Sequence, residues 1–398
     1  MDIAHLHFLV AQADLSGRRA LVALLTQLGA GQVTDVADGP AALQMLEAGA
    51  TPLVNVALID LDLPGMDGLT LLRRLGDARC AARLIVTGAQ PAGLLFSVET
   101  LAEAFGIELL GAVARPVTAV NLKPVLENYT PLPRPALTPP EPRFAFEQID
   151  HGLHDRQFEP YFQPKIELAT GQVTGLEVFA RWNHPDHGVL GPVSFMDALV
   201  EVGRVDFLDW SMIELSVERR RWLLDQGIAI AISLNIAPET LAHPTFVSRM
   251  TACLERHGVE AAHVTFEMSE SSVLNTDPDF IERLVRLRMM GFGLAIDDYG
   301  TGRSNLQLLA RIPFTELKID RSFVDGASRR LPLSTVLRSC LSLAHSLERK
   351  SVAVGVETRR DWDFLQALGC TYAQGYHIAN PMPANAFPAW LSDWHQYF

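Results

Sequence analysis

Eight short apolar runs with strand-like composition recur through residues 144–398, and most of them are followed by segments long enough for a helix. Strands that alternate with helices predict a parallel sheet, and eight such units predict a closed (β/α)8 TIM-type barrel. The first connection, Glu167–Thr174, is too short for a crossover and predicts a hairpin instead. We therefore expect one antiparallel strand in an otherwise parallel barrel. The eight runs are Tyr161–Ile166, Gly175–Arg181, Ile228–Asn235, Val264–Glu267, Phe292–Asp298, Glu316–Ile319, Ser351–Glu357 and Thr371–Gln374.

Residues 1–129 show a separate alternation of strand-like and helix-like segments, which predicts a flavodoxin-like, doubly wound α/β domain. In such folds ligands collect at the carboxyl ends of the strands, where this chain carries Asp60, Thr87 and Arg115. The predicted strands are His7–Ala11, Gln32–Ala37, Val54–Ile59, Arg83–Val86 and Leu109–Ala114, with helices that include Arg18–Leu28 and Pro40–Glu47.

A proline-rich segment at residues 130–143 separates these two parts. Proline removes a backbone donor and fixes φ, so neither a helix nor a central strand is expected there. The composition favours a semi-rigid extended spacer, and a proline motif bound by another protein is the alternative. The predicted domains are thus 1–129, the linker 130–143, and 144–398.

Composition excludes several classes of protein. The formal net charge of -13 argues against a general nucleic-acid or anionic-membrane surface, which needs an excess of Lys and Arg. The four cysteines have neither metal-ligand nor disulfide spacing, which favours reduced thiols in a cytoplasmic protein. The N-terminus lacks the pattern of a secretory signal, and no stretch of about 18 uninterrupted apolar residues occurs. We expect neither export nor a membrane span.

Polar side chains within or after the predicted barrel strands suggest a metal site. Taken singly, each is readily explained as a surface carboxylate or a helix cap, and Asp297-Asp298 would also suit an Asx turn. Brought together at one end of a barrel, carboxylates and a carboxamide are ligands for Mg²⁺ or Mn²⁺, enough for two ions in phosphodiester hydrolysis. Lys318 would add a proton-transfer or oxyanion-stabilising ammonium. The expected metal ligands are Glu177, Asn235, Glu267, Asp297, Asp298 and Glu357.

The second part of the chain resembles the EAL family of cyclic di-GMP phosphodiesterases over nearly its whole length. The resemblance rests on the segments Gly175–Pro185, Phe266–Glu270 and Leu317–Asp320, on Asn235, Asp297 and Asp298, and on Gly355–Glu357 and Gln374–Tyr376. It implies hydrolysis of cyclic di-GMP to linear 5'-pGpG, with Glu177, Asn235, Glu267 and Asp297 on one metal and Asp297, Asp298 and Glu357 on the other.

The same resemblance implies roles for further residues. Lys318 would help to activate the water, so that Lys318, Glu357 and Glu177 form the catalytic set. Glu270 would anchor the loop after Asp298, which the family uses for metal retention and dimer coupling. Homodimers are expected by this analogy alone. The implied substrate contacts are Gln163, Leu176, Arg181 and Gln374.

The first part of the chain resembles a bacterial response-regulator receiver domain. The resemblance rests on Asp60–Gly68, on Thr87 after the fourth strand and on Arg115-Pro116 after the fifth. It implies a phospho-acceptor at Asp60, a switch hydroxyl at Thr87, and a histidine kinase or another signalling protein as partner. Gln12 and Ala13 stand where the family has two acidic metal ligands, and Arg115 replaces its lysine. Because phosphoryl transfer depends on a cation, we expect weak or no phosphorylation.

Two functions therefore stay open for the sequence. The first is metal-dependent hydrolysis of cyclic di-GMP, which the complete set of expected ligands favours. The second is a catalytically inactive cyclic di-GMP receptor or scaffold that signals by protein contact. Departures from the family at Val354, Arg303 and Asn305 keep the second in view.

Overall fold

The computed structural model describes residues 3–47, 53–78, 80, 82–107, 109–127, 129, 142–273, 278–302, 309 and 311–396. The chain forms two compact units, residues 1–138 and 139–398. The predicted linker lies outside the described residues at 130–141, and so do Arg303 and Asn305.

The first unit contains a five-stranded parallel sheet in the order β2-β1-β3-β4-β5, which is the flavodoxin-like order expected from the sequence. The strands are β1 His7–Ala11, β2 Gln32–Val36, β3 Val56–Asp60, β4 Arg83–Gly88 and β5 Leu109–Ala114. Buried apolar side chains cover both faces, with Leu9 and Ile59 in one cluster and Phe8 and Leu58 in the other. The sheet is therefore enclosed on both sides, as a doubly wound fold requires.

Short aspartates begin three of the helices around this sheet. Asp14, Asp38 and Asp67 each accept a hydrogen bond from a backbone N–H of the first helical turn. A side-chain acceptor at this position satisfies an otherwise unpaired donor and fixes where the helix starts. The five helices are Leu15–Gln27, Gly39–Leu46, Gly68–Asp77, Ala92–Ala104 and Ala119–Leu126.

The second unit is a closed eight-stranded barrel in the order β6-β14-β13-β12-β11-β10-β9-β7, with β7 pairing back to β6. Strand β6 is antiparallel to both of its barrel neighbours, and the other barrel pairings are parallel, which confirms the one antiparallel strand. Two further short strands, β8 and β15, pair outside the ring and were not predicted. The strands are β6 Phe158–Glu167, β7 Val173–His184, β8 Gly188–Leu190, β9 Ala231–Asn235, β10 Val264–Ser269, β11 Gly293–Tyr299, β12 Glu316–Ile319, β13 Lys350–Val354, β14 Tyr372–Gln374 and β15 Met382–Pro383.

Helices surround the barrel between its strands. They are Phe146–His154, Met196–Glu201, Val205–Asp225, Pro238–Ala242, Phe246–His257, Glu270–Val273, Pro278–Met289, Arg321–Val324, Leu331–Ser346, Arg359–Ala367 and Phe387–Trp394. Across the described residues, every helix is too short or too polar to cross a bilayer.

One strand boundary differs from the prediction in a way that affects the site. The apolar run Ser351–Glu357 predicts a strand that reaches Glu357, but β13 ends at Val354. Gly355 follows with a φ of 76°, a left-handed conformation that turns the chain out of the sheet and favours glycine. Glu357 therefore lies on the loop after the strand.

Candidate active site

Three carboxylates from three strands meet at the mouth of the barrel. Glu177 on β7, Glu267 on β10 and Asp297 on β11 bring one carboxylate oxygen each to within 4.8 Å of the others. Glu177 and Glu267 are only 4% and 2% exposed. All three groups are hard oxygen donors, the ligand type that Mg²⁺ and Mn²⁺ prefer.

Lys318 on β12 lies among these carboxylates and is itself 1% exposed. Its Nζ is 3.0 Å from Glu177 Oε1 and 3.0 Å from Asp297 Oδ2, and it also donates to Glu267 Oε2. Burial works against the ammonium, but the surrounding carboxylates raise the pKa of Lys318 well above its ordinary value. The lysine is therefore a fixed positive charge at the centre of the acidic group.

The carboxylates differ in their affinity for protons. Burial disfavours ionisation of Glu177, but Lys318 and the hydrogen bonds from Asn235 and Gln374 lower its pKa. Burial and the Glu177 charge raise the pKa of Glu267 to about 8 against the influence of Lys318. Burial also raises the pKa of Asp297. Added positive charge would favour the ionised form of each of these three carboxyl groups.

Two carboxamides also donate to the Glu177 carboxylate, Asn235 to the oxygen that contacts Lys318 and Gln374 to the other oxygen. Asn235, the last residue of β9, donates to Glu177 Oε1 at 3.2 Å. Gln374, the last residue of β14, donates to Glu177 Oε2 at 2.7 Å and to Gln163 Oε1 at 2.9 Å. Gln163 in turn donates to the backbone oxygen of Ala379 at 2.8 Å. The structure thus brings together four residues that the sequence assigned to metal and substrate.

Asp298 and Glu357 are not part of the carboxylate cluster. Asp298 is exposed, has a φ of 54°, and its backbone N–H donates to Asp297 Oδ1 at 2.9 Å. Although Asp298 is exposed, neighbouring protein atoms partly desolvate its carboxyl group, and this desolvation, followed by the nearby Asp320 carboxylate, raises the pKa of Asp298. Glu357 forms an ion pair with Arg321 Nη2 at 2.7 Å. Asp298 lies near the carboxyl end of β11 and Glu357 follows the carboxyl end of β13, with β12 between these two strands.

Glu270 is hydrogen-bonded to the loop that follows Asp298. Its Oε2 accepts from the backbone N–H of Gly300 at 2.7 Å and from that of Gly302 at 3.4 Å. Glu270 is 4% exposed, so these charge-assisted bonds lie largely out of water. The contact is the one that the resemblance implies, and the rest of this loop, residues 303–308, is outside the described residues.

Arg181 and Leu176, two expected substrate contacts on β7, lie in different surroundings. Arg181 is partly buried, with its guanidinium 5.8 Å from the ring centre of Tyr161 and 5.9 Å from that of Phe179. Leu176 is 0% exposed, and strand alternation puts it on the face opposite Glu177. The structure therefore does not bring Leu176 to the opening, whereas Phe179 shares the face of Glu177.

The sequence reasoning missed a second buried ion pair beneath the cluster. Lys165 on β6 donates to Glu316 on β12, and both are largely buried. Lys165 lies two residues after Gln163 and Glu316 two residues before Lys318, so each shares a strand face with a predicted site residue. That spacing was the available signal. No spacing in the sequence predicts the ion pair between Arg321 and Glu357.

A cavity of about 900 Å³ lies beside the carboxyl ends of β9 and β10. Its lining includes Ala237 and Thr240 after β9, Ser269 and Ser272 at and after the end of β10, and Trp210. This volume is within the range of sites that enclose small molecules.

The first unit has its own acidic pocket at the carboxyl end of β3. Asp60 is 1% exposed and pairs across the sheet with Thr87. Arg115 bridges two carboxylates, with Nη1 3.1 Å from Asp60 Oδ2 and Nη2 2.6 Å from Asp62 Oδ2. Burial raises the pKa of Asp60, while the backbone N–H of Asp62 and the Arg115 charge oppose that rise.

The acidic pair expected of a receiver is not formed by the residues near β1. Gln12 occupies one of these positions and is 5% exposed, with a hydrogen bond to Asp60. Asp14 accepts from the backbone N–H of Gly17 at 2.6 Å and so caps the first helix. Arg115 is therefore the cationic group that faces the Asp60 carboxylate.

Both units of the chain are similar to known proteins. Residues 147–381 match the EAL domain family, and residues 8–124 match the response regulator receiver domain. The chain is 33% identical over 386 residues to the cyclic di-GMP phosphodiesterase RocR of Pseudomonas aeruginosa, covering 96% of this chain and 97% of that protein. It is 30% identical to the cyclic di-GMP phosphodiesterase PdeR of Escherichia coli, over 60% of this chain and 36% of PdeR.

Solved structures resemble the second unit. The PaMucR phosphodiesterase in a c-di-GMP complex matches with a TM-score of 0.57 and 33% identity, over 61% of this chain and 98% of that one. The FimX EAL domain from Pseudomonas aeruginosa matches with a TM-score of 0.52 at 21% identity, over 59% and 94% of the two chains, a likeness of fold. The chain belongs to the EAL domain family and carries a response regulator receiver domain at its N-terminal side.

Proposed function

We propose that this chain hydrolyses cyclic di-GMP to linear 5'-pGpG at the mouth of the barrel. The observation that carries the proposal is the convergence of Glu177, Glu267 and Asp297 around Lys318. The names of RocR and PdeR, cyclic di-GMP phosphodiesterases both, support the same substrate.

The donor set fits divalent metal ions. Three carboxylate oxygens within 4.8 Å of one another, with Asn235 hydrogen-bonded to one of them, match the oxygen ligation of Mg²⁺ or Mn²⁺. Glu177, Asn235, Glu267 and Asp297 would hold the first ion, and Asp298 and Glu357 would join Asp297 on the second. Two such ions supply Lewis acidity that activates water and offsets the charge of the phosphodiester.

The reaction adds water across one phosphodiester. The water oxygen bonds to phosphorus, the bond from phosphorus to the ribose O3′ breaks, and O3′ takes up a proton. The Lys318 ammonium stabilises negative charge that develops on the phosphate oxygens. Gln163, Gln374 and Arg181 bind and orient the substrate, and the burial of Lys318 and its carboxylates limits access of bulk water.

Incubation of the full chain with cyclic di-GMP and Mn²⁺, followed by chromatography of the nucleotides, tests the proposal. We expect accumulation of pGpG with the unmodified chain. Glu177→Gln and Glu267→Gln keep the size of the side chain, and each should lower the rate of hydrolysis by more than about 100-fold. Glu282→Gln is the matched control, because Glu282 is exposed and forms an ion pair with Arg286 along its own helix. Normal turnover in either site variant would contradict the assignment.

One observation favours the alternative of an inactive cyclic di-GMP receptor or scaffold. Glu357 is paired with Arg321, and Asp298 lies outside the cluster, so the ligands of the second ion are not gathered. A receptor would bind cyclic di-GMP tightly and release no pGpG with either Mg²⁺ or Mn²⁺. The same incubation, combined with a binding isotherm, therefore separates the two functions.

The receiver domain is proposed to be poorly phosphorylated. Arg115 bridges Asp60 and Asp62, and Gln12 stands where the family has an acidic metal ligand. A guanidinium at this carboxylate competes with the cation that phosphoryl transfer needs. Treatment with acetyl phosphate and Mg²⁺ followed by intact mass spectrometry should leave the mass unchanged, and a stoichiometric adduct at Asp60 would contradict the proposal.

The remaining assignments follow from family analogy and composition. We propose that residues 1–129 contact a histidine kinase or another signalling protein, that residues 144–398 carry the phosphodiesterase, and that residues 130–143 link them. A homo-oligomer is proposed by analogy alone. The cysteine spacing favours a cytoplasmic location. The negative net charge argues against DNA or an anionic membrane as partner.

A further inference from the structure

A buried carboxylate outside the acidic cluster holds the segment that follows Asn235. Asp209 lies on the helix Val205–Asp225 and is 8% exposed. Its Oδ2 accepts from the backbone N–H of Ala237 at 3.0 Å and from the hydroxyl of Thr240 at 2.6 Å. Asp209 is not among the metal ligands or substrate contacts expected from the sequence.

Asp209 supplies a cap that the local sequence lacks. The helix Pro238–Ala242 is preceded by Ala237, which has no side-chain acceptor for the first turn. Pro238 suits the first helical position, but it contributes no N–H. The Asp209 carboxylate, which comes from a different helix, instead receives the Ala237 N–H and the Thr240 hydroxyl. It therefore fixes where this short helix begins.

The three residues from Asn235 to Ala237 are tied to three different elements. The Asn235 side chain donates to Glu177 Oε1 at 3.2 Å and to the Val178 oxygen at 3.4 Å. The Ile236 N–H donates to the backbone oxygen of Glu267 at 3.0 Å, and the Ala237 N–H donates to the Asp209 carboxylate. The first two ties lie within the barrel, so Asp209 is the tie from outside it. Loss of the hydrogen bonds to Asp209 would release the backbone at Ala237, two residues after Asn235.

The cost of burying this carboxylate is not offset by an ion pair within the described residues. Its neighbours Asp206 and Glu239 are acidic, and its hydrogen-bond donors are uncharged. Burial raises the pKa of Asp209 to about 6, against the lowering effect of the Thr240 and Ala237 bonds. A leucine at this position would avoid the desolvation cost. The geometry accounts for an acceptor here, because only an acceptor holds Ala237 and Thr240 together.

We propose that Asp209 is a positioning residue for the active site, acting through Asn235 on the affinity for the divalent ions. The inference rests on the proposed function, in which Asn235 is a metal ligand. Partners that orient metal ligands commonly affect metal affinity by about 10- to 100-fold. Asp209 touches neither substrate nor metal in this scheme.

A double-mutant cycle in the full chain tests the inference, with Mn²⁺ affinity measured by titration calorimetry and thermal stability measured in parallel. We expect Asp209→Ala to weaken Mn²⁺ binding by about 10-fold or more. Asp209→Asn keeps an acceptor and should restore most of the affinity. In the Asn235→Ala background, Asp209→Ala should cause no further loss of affinity although it still lowers stability. Asp225→Ala, an exposed site on the same helix, is the control.

The possible failures are distinguishable. Equal, additive losses of affinity in the wild-type and Asn235→Ala backgrounds would overturn the inference, as would a loss of stability without any change in affinity. If Asp209→Ala does not fold, Thr240→Val removes one of the two bonds and must still weaken Mn²⁺ binding in the wild-type background alone. If Asn235→Ala itself leaves Mn²⁺ affinity unchanged, the ligand assignment under the proposed function is wrong.

Discussion

Replacement of Lys318 by methionine removes one ammonium from two buried carboxylates and the partly buried Asp297, and should destabilise the barrel. At an effective dielectric constant of about 20, one such pair at 3.0 Å is worth about 5 kcal/mol before desolvation is counted. Removing one partner of a buried pair typically costs about 3–5 kcal/mol, because the other charge stays buried. We expect a loss of that size in the free energy of unfolding of Lys318→Met in EDTA.

Urea unfolding followed by tryptophan fluorescence measures this loss in the barrel specifically, since all six tryptophans lie between Trp182 and Trp394. The pKa of Lys318 is raised above its ordinary value, so the ammonium that provides this stabilisation stays protonated below about pH 10. Mn²⁺ should recover most of the loss, because the ions return positive charge to Glu177, Glu267 and Asp297.

Lys350→Met is the matched control, because Lys350 is exposed at the start of β13. A Lys318→Met protein that is as stable in EDTA as the wild type, to within about 1 kcal/mol, would refute the reasoning. A similar loss in Lys350→Met would show that the effect is not specific to the buried ammonium.

Three further predictions follow from other contacts. The Asp209 pKa of about 6 in the folded protein exceeds the value of about 4 in the unfolded chain. The contribution of Asp209 to the free energy of unfolding is therefore fully present below about pH 4, and it falls by about 3 kcal/mol as pH rises through 6. Asp209→Asn should lack this pH dependence when unfolding by urea is measured from pH 4 to 7. Glu270→Gln should weaken Mn²⁺ binding by about 10-fold, because a neutral acceptor holds Gly300 less strongly, and an unchanged calorimetric affinity would count against the loop contact. Arg115→Ala should lower the stability of the first unit measured by hydrogen exchange, since Asp60 would stay buried without its cation; unchanged protection around β3 would contradict this.

Sequence patterns predicted the strands more reliably than the directions of side chains beyond their ends. Strands β1 and β5 coincide with predicted apolar runs, and β12 coincides with a predicted run in which charged and apolar residues alternate. Glu357 differs because β13 ends before Gly355, whose positive φ redirects the chain. Its pairing with Arg321 depends on a residue from another strand-helix connection, which local patterns do not encode.

The position of Leu176 was predictable from alternation alone. Adjacent residues of a strand point to opposite faces, so Leu176 and Glu177 cannot both face the opening. The resemblance implies a substrate contact at Leu176, which stays a prediction, and Phe179 is the residue that shares the strand face of Glu177. Asp209, in contrast, was not predictable, since its partners Ala237 and Thr240 are brought to it only by the packing of two helices.

The reversed direction of β6 decides where the polypeptide enters the barrel. Phe158 at the start of β6 pairs with Trp182, beyond Glu177 on β7, so the chain arrives on the rim of the mouth. In an all-parallel barrel the first strand would begin at the floor. Here β6 descends from the rim through Gln163, the neighbour of Gln374, to Lys165 beneath the cluster. The segment before Phe158 is thus continuous with the strand that carries Gln163 and Lys165 into the barrel.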